Sequence, residues 1–212
     1  IQYWLMVGII DIGLGNIKSI TNWLDRCVVP WKLIYSPDDS QEYQLIILPG
    51  VGSVLEFMTK LEQLHFIDFV KRKSQQGQRI LGICLGAHVL FEYSEEDGGV
   101  HGLGLIQGTV RHIPMNSSNT GWLPCSFDKR LMNELWKSQK QNVSRKQRVH
   151  GRVFFNHNYG IQLDEAADID LKIQLEELSE FTALVHKNNI IACQFHPEKS
   201  QSMGELLLKM IL

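Results

Sequence analysis

The chain has 212 residues, of which 44% are hydrophobic and 21% are charged; this composition is typical of soluble globular proteins and excludes a disordered, collagenous or coiled-coil chain. The 21 Lys and Arg residues nearly balance the 23 Asp and Glu residues, for a formal net charge of -2, so neither nucleic acid nor a membrane surface is expected as a partner. No apolar run approaches the roughly 20 residues of a membrane-spanning helix. The four cysteines are widely separated, as in proteins of a reducing cytoplasm.

Met6 is the expected start of the natural chain, because the sequence begins with Ile1 rather than with Met. Residues 1–5 are then an added or upstream extension, and residues 6–212 are expected to form a single domain of ordinary size. No basic segment precedes the first apolar run, so no secretory signal is expected and the protein is placed in the cytoplasm.

In the first 90 residues, apolar runs alternate with helical patterns, which predicts an α/β sheet with right-handed crossovers. Runs such as Leu45–Leu48 lack polar positions, as do the strands of parallel sheets that are covered on both faces. Asn16 is expected to cap the first helix. The predicted elements are a strand over Leu5–Ile10, a helix from Asn16 to about Val28, strands over Trp31–Tyr35 and Gln44–Leu48, helices over about Ser53–Lys60 and Phe66–Gln76, a strand over Arg79–Ile83 and a helix over Ala87–Tyr93.

The second half of the chain shows short apolar runs joined by turns, which predicts an antiparallel or mixed extension of the sheet. The stretch Lys137–Arg152 carries six basic and no acidic residues and is expected to be a solvated loop. The predicted elements are strands over Leu103–His112, Gly121–Phe127, Arg152–Asn156, Phe181–Lys187 and Ile190–Phe195, and helices over about Lys129–Ser138 and Ser202–Ile211.

The segment Gly82-Ile83-Cys84-Leu85-Gly86 follows an apolar strand and precedes a helical pattern. This is the cysteine form of a nucleophile elbow, a sharp strand-to-helix turn that presents the central side chain and requires small residues two positions to either side. A thiol at the start of a helix is favoured as the thiolate. The alternative is a buried structural cysteine between two glycines, since free cysteine is often buried.

A nucleophilic cysteine needs a base, and His196 is the best-placed of the eight histidines. It follows the last predicted strand directly, and Glu198 lies two residues further on, where a carboxylate can orient the imidazole. The alternative is a histidine at the end of a strand beside a solvent-exposed glutamate.

Pro49-Gly50-Val51-Gly52 ends a buried strand with two glycines. Glycine lets backbone N–H groups turn toward a substrate, and such groups can form an oxyanion hole. The alternative is a plain strand-to-helix turn.

Together these features resemble the class I, triad-type glutamine amidotransferases, and within that family most of all the glutaminase subunits of imidazole glycerol phosphate synthase. The matching segments occur in family order and span nearly the whole chain from Met6 onward. They are Asp11–Ser19, Leu48–Gly52, Gly82–Gly86, Leu90–Glu92, Gly102–Leu105, Gly121-Trp122 and Gln194–Ser200.

The resemblance implies a flavodoxin-like three-layer fold whose central sheet is mainly parallel, with a mixed or antiparallel second portion. It implies hydrolysis of L-glutamine to glutamate and ammonia, through a glutamyl thioester. The ammonia would pass to a (β/α)8-barrel cyclase or synthase subunit in a heterodimer. Hydrolysis by the isolated chain is expected to be slow and to be accelerated by that partner.

The resemblance also assigns roles to individual residues. No cofactor is expected, and no metal is expected because His101, His112 and His150 show no metal-ligand spacing. The implied nucleophile, base and orienting residue are Cys84, His196 and Glu198. The implied oxyanion residues are Gly50, Val51, Gly52 and Leu85. The implied glutamine-binding residues are His88, Glu96, Asn158 and Tyr159, and those facing the partner are Asn16 and Lys199.

The chain departs from the family pattern most clearly at His88, where the family usually has Gln. We expect His88 to line the glutamine pocket on the same helix face as Cys84. Because an unperturbed histidine titrates near pH 6.5, glutamine affinity is then expected to vary between about pH 5.5 and 7.5. The alternative is a structural histidine that hydrogen-bonds a neighbouring group.

Three functions remain open from sequence. The leading hypothesis is ammonia production for histidine biosynthesis. A paralogous subunit that supplies ammonia for amidation of a surface-polysaccharide sugar is the second, and a regulatory subunit that has lost catalysis is the third. The complete set of Cys84, His196 and Glu198 favours an enzyme, whereas His88 is the argument for the regulatory subunit.

Overall fold

A computed structural model describes residues 6–114, 120–126, 150–164, 167, 171–175 and 180–212. The predicted helix over Lys129–Ser138 and most of the basic stretch Lys137–Arg152 lie outside these residues. The strands are β1 (Val7–Ile10), β2 (Trp31–Ile34), β3 (Leu45–Gly50), β4 (Ile80–Cys84), β5 (Phe91–Ser94), β6 (Val100–His101), β7 (Ile106–His112), β8 (Thr120–Ser126), β9 (His150–Asn156), β10 (Tyr159–Gln162), β11 (Leu171–Leu175), β12 (Thr182–Lys187) and β13 (Ile190–Cys193). The helices are α1 (Ile17–Arg26), α2 (Val54–Gln63), α3 (Phe66–Gln75), α4 (Leu85–His88) and α5 (Gln201–Ile211), with short 3-10 turns at Glu96–Gly98 and Pro197–Lys199.

One mixed sheet runs through the molecule in the order β2-β1-β3-β4-β13-β12-β10-β7-β5-β6. The five strands from β2 to β13 are mutually parallel. Beyond them β12 and β10 pair in antiparallel fashion, and β11, β8 and β9 branch from β12 as antiparallel strands. The predicted α/β class, with a mainly parallel centre and a mixed second portion, is confirmed.

Helices cover both faces of the parallel strands, which gives three layers. Successive residues of β3 point to opposite faces: Leu45 and Ile47 pack on the side of α1 and α5, and Ile46 and Leu48 pack on the side of α2 and α3. All four side chains are buried, and this two-sided burial explains why the run carries no polar residue.

Local chemistry explains the boundaries of the first helices. The side chain of Asn16 accepts the backbone N–H of Ser19 at 3.3 Å, which confirms the predicted cap of α1. Ser53 caps α2 in the same way through the N–H of Glu56. Strand β3 continues through Pro49, because its pairing with β1 ends at Ile47 and the missing N–H of proline interrupts no hydrogen bond to that strand.

The predicted helix over Ala87–Tyr93 is wrong. Helix α4 ends after a single turn at His88, and the chain re-enters the sheet as β5, which pairs in parallel with β7. The carbonyl of Val89 accepts the N–H of Leu103 at 2.7 Å, a hydrogen bond to a distant segment that replaces the next turn of helix. Four-residue strands such as β5 and β10 are too short for sequence periodicity to separate them from a helix, and β5, β6, β10 and β11 were not predicted.

The longest described helix, α5, has 11 residues. Among the described parts of the chain, no helix combines the length and the apolar character that crossing a membrane requires.

Candidate active site

Cys84 ends β4, and α4 begins at the next residue, so the chain makes a sharp strand-to-helix turn at the thiol. The backbone of Cys84 has φ 53° and ψ -112°, which is strained for a residue with a side chain. A methyl group on Gly82 would lie 2.5 Å from the carbonyl oxygen of Gly86, and one on Gly86 would overlap the carbonyl oxygen of Leu48. The turn therefore has room only for glycine on either side, as an elbow requires.

His196 and Glu198 follow β13, which lies next to β4 in the parallel part of the sheet. Parallel strands end at the same edge, so this pairing brings His196 to Cys84. The Nδ1 atom of His196 lies 2.8 Å from Oε1 of Glu198, and both side chains are buried. Burial opposes a charge on His196, but hydrogen bonds and charges of Cys84 and Glu198 outweigh it and raise the pKa of the imidazole to about 9.

Backbone contacts hold this pair in place. The Ser200 hydroxyl donates to the carbonyl of His196 at 2.6 Å and accepts the N–H of Phe154 at 3.0 Å. The N–H of His196 donates to the carbonyl of Phe154 at 2.9 Å, and Arg26 donates to the carbonyl of Glu198 at 3.2 Å. Sequence reasoning missed these supports because Phe154 and Arg26 are distant in the chain.

The glycine-rich end of β3 lies against the elbow. Gly50 is the residue of β3 that pairs with Cys84, and a methyl group on it would lie 2.5 Å from the backbone nitrogen of Gly86 and 2.9 Å from Cβ of Leu85. Gly52 has φ +100°, a conformation that favours glycine. Val51, between them, is 41% exposed. The structure thus brings the four predicted oxyanion residues to one place beside the thiol.

Three of the four predicted glutamine-binding residues line a cavity of about 230 Å³. Its lining residues are Glu96, Thr120, Asn156, His157, Asn158 and Tyr159. Burial, followed by the charge of Asp97, raises the pKa of Glu96 to about 7. Asp97 itself accepts hydrogen bonds from the Ser53 hydroxyl at 2.6 Å and from the N–H of Leu55 at 3.0 Å, which attach this turn to α2.

The fourth predicted residue, His88, is buried behind this wall and does not line the cavity. Its Nε2 donates to Oε1 of Gln194 at 2.7 Å, and its ring meets that of His157 edge-on with centroids 4.5 Å apart. Burial and the neighbouring His157 lower the pKa of His88 to about 3. The expectation that His88 changes charge near neutral pH is therefore wrong, and the alternative of a hydrogen-bonded structural histidine describes its surroundings.

His157 connects the cavity with the His196 region. Burial, together with the charge of His196, lowers the pKa of His157 to about 4. Its Nδ1 accepts the N–H of Tyr159 at 3.1 Å. The sequence alone indicated no role for His157 or Gln194. Gln194 could have been noticed only because it lies in the same matching segment as His196.

The two residues expected to face a partner belong to separate elements of the structure. Asn16 caps α1 and is exposed. Lys199 follows Glu198 in the 3-10 turn, with its Nζ atom 5.2 Å from the centre of the Phe154 ring. Their contact with a partner stays a prediction.

Known proteins share this architecture. The family model of class-I glutamine amidotransferases matches residues 8–210. Imidazole glycerol phosphate synthase subunit HisH of Prochlorococcus marinus is 37% identical over 208 residues, which cover 96% of this chain and 92% of that protein. The subunit of the same name from a Geobacillus species is 35% identical over 206 residues, covering 96% of this chain and 94% of that protein.

A solved structure described as a glutamine amidotransferase matches the fold with a TM-score of 0.71 at 18% identity, over 97% of this chain and 96% of that one. At this identity the likeness concerns the fold alone. The family match, by contrast, spans the elbow, the glycine-rich segment and the His196–Glu198 pair. The chain therefore belongs to the class-I glutamine amidotransferase family.

Proposed function

We propose that this chain is the glutaminase subunit of an imidazole glycerol phosphate synthase, which hydrolyses L-glutamine to glutamate and ammonia and passes the ammonia to a synthase subunit. One observation carries the catalytic part of the proposal. His196 is hydrogen-bonded through Nδ1 to Glu198 and interacts electrostatically with Cys84, which occupies a strained elbow at the end of a parallel strand.

In the first half of the reaction, the Cys84 thiolate attacks the side-chain amide carbon of glutamine and forms a tetrahedral intermediate. His196, protonated and held by Glu198, gives its proton to the amide nitrogen, so that the C–N bond breaks and ammonia leaves. The product on the protein is a thioester between Cys84 and the γ-carboxyl carbon of glutamate. A pKa of about 9 keeps His196 in the protonated state that this step needs at neutral pH.

In the second half, neutral His196 accepts a proton from water as the water oxygen attacks the thioester carbon. The C–S bond then breaks, glutamate leaves and the Cys84 thiolate is restored beside protonated His196. The Glu198 carboxylate orients the imidazole through both steps.

The negative oxygen that forms in each half requires hydrogen-bond donors close to the reacting carbon. We assign this role to the backbone N–H of Leu85, at the start of α4, and to backbone N–H groups of the segment Gly50–Gly52. The pairing of Gly50 with Cys84 and the positive φ of Gly52 support the assignment.

The cavity lined by Glu96, Asn158 and Tyr159 is suited to the amino-acid end of glutamine. An ionised Glu96 pairs with the substrate ammonium group, and the polar neighbours accept and donate hydrogen bonds. His88 takes no direct part, since it is buried behind this wall and bonded to Gln194.

The partner is proposed to be a (β/α)8-barrel subunit that docks beside the oxyanion segment. The names of the relatives, each a subunit of imidazole glycerol phosphate synthase, support a partner and favour histidine biosynthesis over sugar amidation. Two exposed apolar side chains, Val51 within the oxyanion segment and Leu55 in the first turn of α2, offer it a contact surface. The assembled triad argues against a regulatory subunit without catalysis.

The test is glutaminase turnover of the full chain, measured as glutamate release. It is measured alone and after addition of the synthase subunit that a HisH relative binds. Cys84→Ser should lower turnover by a factor on the order of a thousand or more, because members of a triad act as a unit. Cys27→Ser, which changes a partly buried thiol in another part of the fold, is the matched control. An electrophilic glutamine analogue that labels Cys27 or Cys193 in place of Cys84 would contradict the proposal.

A further inference from the structure

Three side chains from separate parts of the chain converge between the cavity and the interior. His88 comes from α4, Glu96 from a 3-10 turn and His157 from the segment before β10. Each offers one potential metal-binding atom, and these atoms all lie within 4.8 Å of one another. Because the three residues are irregularly spaced along the chain, no sequence pattern predicts this cluster.

Two of the three residues carry buried polar atoms that have no partner among the described residues. His88 is 1% exposed, and its Nε2 is occupied by Gln194, which leaves Nδ1 as an unpaired acceptor. Oε2 of Glu96 is also buried without a hydrogen bond. Unsatisfied buried acceptors are costly, and a bound cation would satisfy both.

His157 completes the arrangement. Its Nε2 lies 3.8 Å from Oε2 of Glu96, while its Nδ1 accepts the N–H of Tyr159. Coordination through Nε2 moves the ring proton to Nδ1 and gives up that hydrogen bond. The cluster is therefore a weaker site than one in which every ligand is already oriented for the metal.

Two imidazoles and one carboxylate are the ligand set of many zinc sites that keep a fourth position for water. In tetrahedral geometry, with metal–ligand distances of about 2.0–2.2 Å, the donor atoms are about 3.3 Å apart. The 3.8 Å between His157 and Glu96 requires a closure of about 0.5 Å, and a pair at the 4.8 Å limit of the cluster requires about 1.5 Å. Gln194, as acceptor of the His88 Nε2 proton, supplies the outer hydrogen bond that metal-binding histidines usually have.

We propose that His88, Glu96 and His157 form a binding site for a divalent transition metal ion, Zn²⁺ by its ligand chemistry. This departs from the expectation of no metal that the spacing of the histidines supported. Glu96 and His157 also line the cavity assigned to glutamine. Insofar as the proposed glutaminase function holds, the ion excludes substrate and inhibits the enzyme competitively.

The test is equilibrium dialysis of the full chain, freed of metal, against ZnCl2, with CoCl2 as a spectroscopic probe. We expect one ion per chain and a cobalt spectrum without a sulfur-to-metal charge-transfer band. His88→Gln and Glu96→Gln should each weaken binding by at least about tenfold, since even outer-shell changes cost about 10–100-fold. His101→Gln, an exposed histidine outside the cluster, should leave the affinity unchanged.

The competing metal ligands are Cys84 and His196, and Cys84→Ser separates the two sites. Retained zinc binding in Cys84→Ser supports the proposed cluster. Zinc binding that is lost in Cys84→Ser but kept in both His88→Gln and Glu96→Gln overturns it. The absence of stoichiometric zinc binding to the unmodified chain also overturns it. Circular dichroism of each variant identifies any loss of fold. Because dialysis needs no substrate, a chain that hydrolyses glutamine but binds no zinc refutes only this site.

Discussion

Glu198→Gln keeps the size of the side chain beside His196 but removes its negative charge. In the structure, Oε1 of Glu198 lies 2.8 Å from Nδ1 of His196, and both side chains are buried. An amide oxygen can still accept a hydrogen bond from the Nδ1–H group of His196, so the variant isolates the effect of the charge.

The magnitude follows from the pKa of His196. Raising it from 6.5 to about 9 corresponds to about 3 kcal/mol in favour of the charged imidazole. Cys84 and Glu198 both contribute, against the opposing effect of burial. Removing the charge of Glu198 should lower the pKa of His196 toward its ordinary value, and each unit of that fall removes about 1.4 kcal/mol of stabilisation from the charged imidazole. Because attack of water on the thioester builds this charge on His196, turnover should fall about tenfold for each such unit.

The direction with pH follows from proton linkage. The pKa of His196 is higher in the folded chain, at about 9, than in the unfolded chain, at about 6.5. Its contribution to the free energy of unfolding is therefore fully present below about pH 6.5 and is lost as the pH rises through about 9. The stability difference between the unmodified chain and Glu198→Gln should shrink over the same interval.

The pKa of His196 is measured by NMR titration in the unmodified chain and in Glu198→Gln. Urea unfolding at several pH values and glutaminase turnover are measured on the same two chains. Glu205→Gln, an exposed carboxylate on α5, is the matched control and should change none of these quantities. An unchanged His196 pKa in Glu198→Gln would refute the electrostatic reasoning, even if turnover fell.

Two further predictions concern the substrate side. His88→Gln should leave the pH dependence of the glutamine KM between about pH 5.5 and 7.5 unchanged, because burial holds the pKa of His88 at about 3 and the ring is neutral throughout; a KM profile that flattens in His88→Gln would reverse this conclusion. Gly52→Val should abolish activation by the partner and lower the free energy of unfolding by about 1–3 kcal/mol. The nearest atom to an added Cβ is 4.0 Å away, so the cost comes only from the strained φ of +100°. Gly50→Val should also destabilise the elbow, and urea unfolding distinguishes the two variants. Full activation of Gly52→Val would remove this segment from the mechanism.

The elbow and the base were predictable from sequence because their signals are local. A buried strand that runs into Gly82-Ile83-Cys84-Leu85-Gly86 requires a tight turn, and the structure gives the reason: neither flanking glycine has room for a methyl group. The alternation of strands and helices likewise predicted a parallel sheet, since only buried strands tolerate the uninterrupted apolar run of β3.

The short elements after Cys84 were not predictable in this way. The segment over Phe91–Ser94 has a pattern that fits a helix or a strand equally well, and pairing with β7, more than ten residues further along, decides between them. The helix expected through Tyr93 therefore ends at His88.

The sequence by itself determined which residue is the thiol of the elbow and which histidine and glutamate accompany it, because each role depends on its immediate neighbours. Only the tertiary structure decided the state of those residues. His196 is charged and His88 neutral, although both are buried histidines. The difference lies in partners brought from elsewhere in the chain, a thiol and a carboxylate for His196 and an uncharged amide for His88, and a pKa responds to such surroundings rather than to sequence.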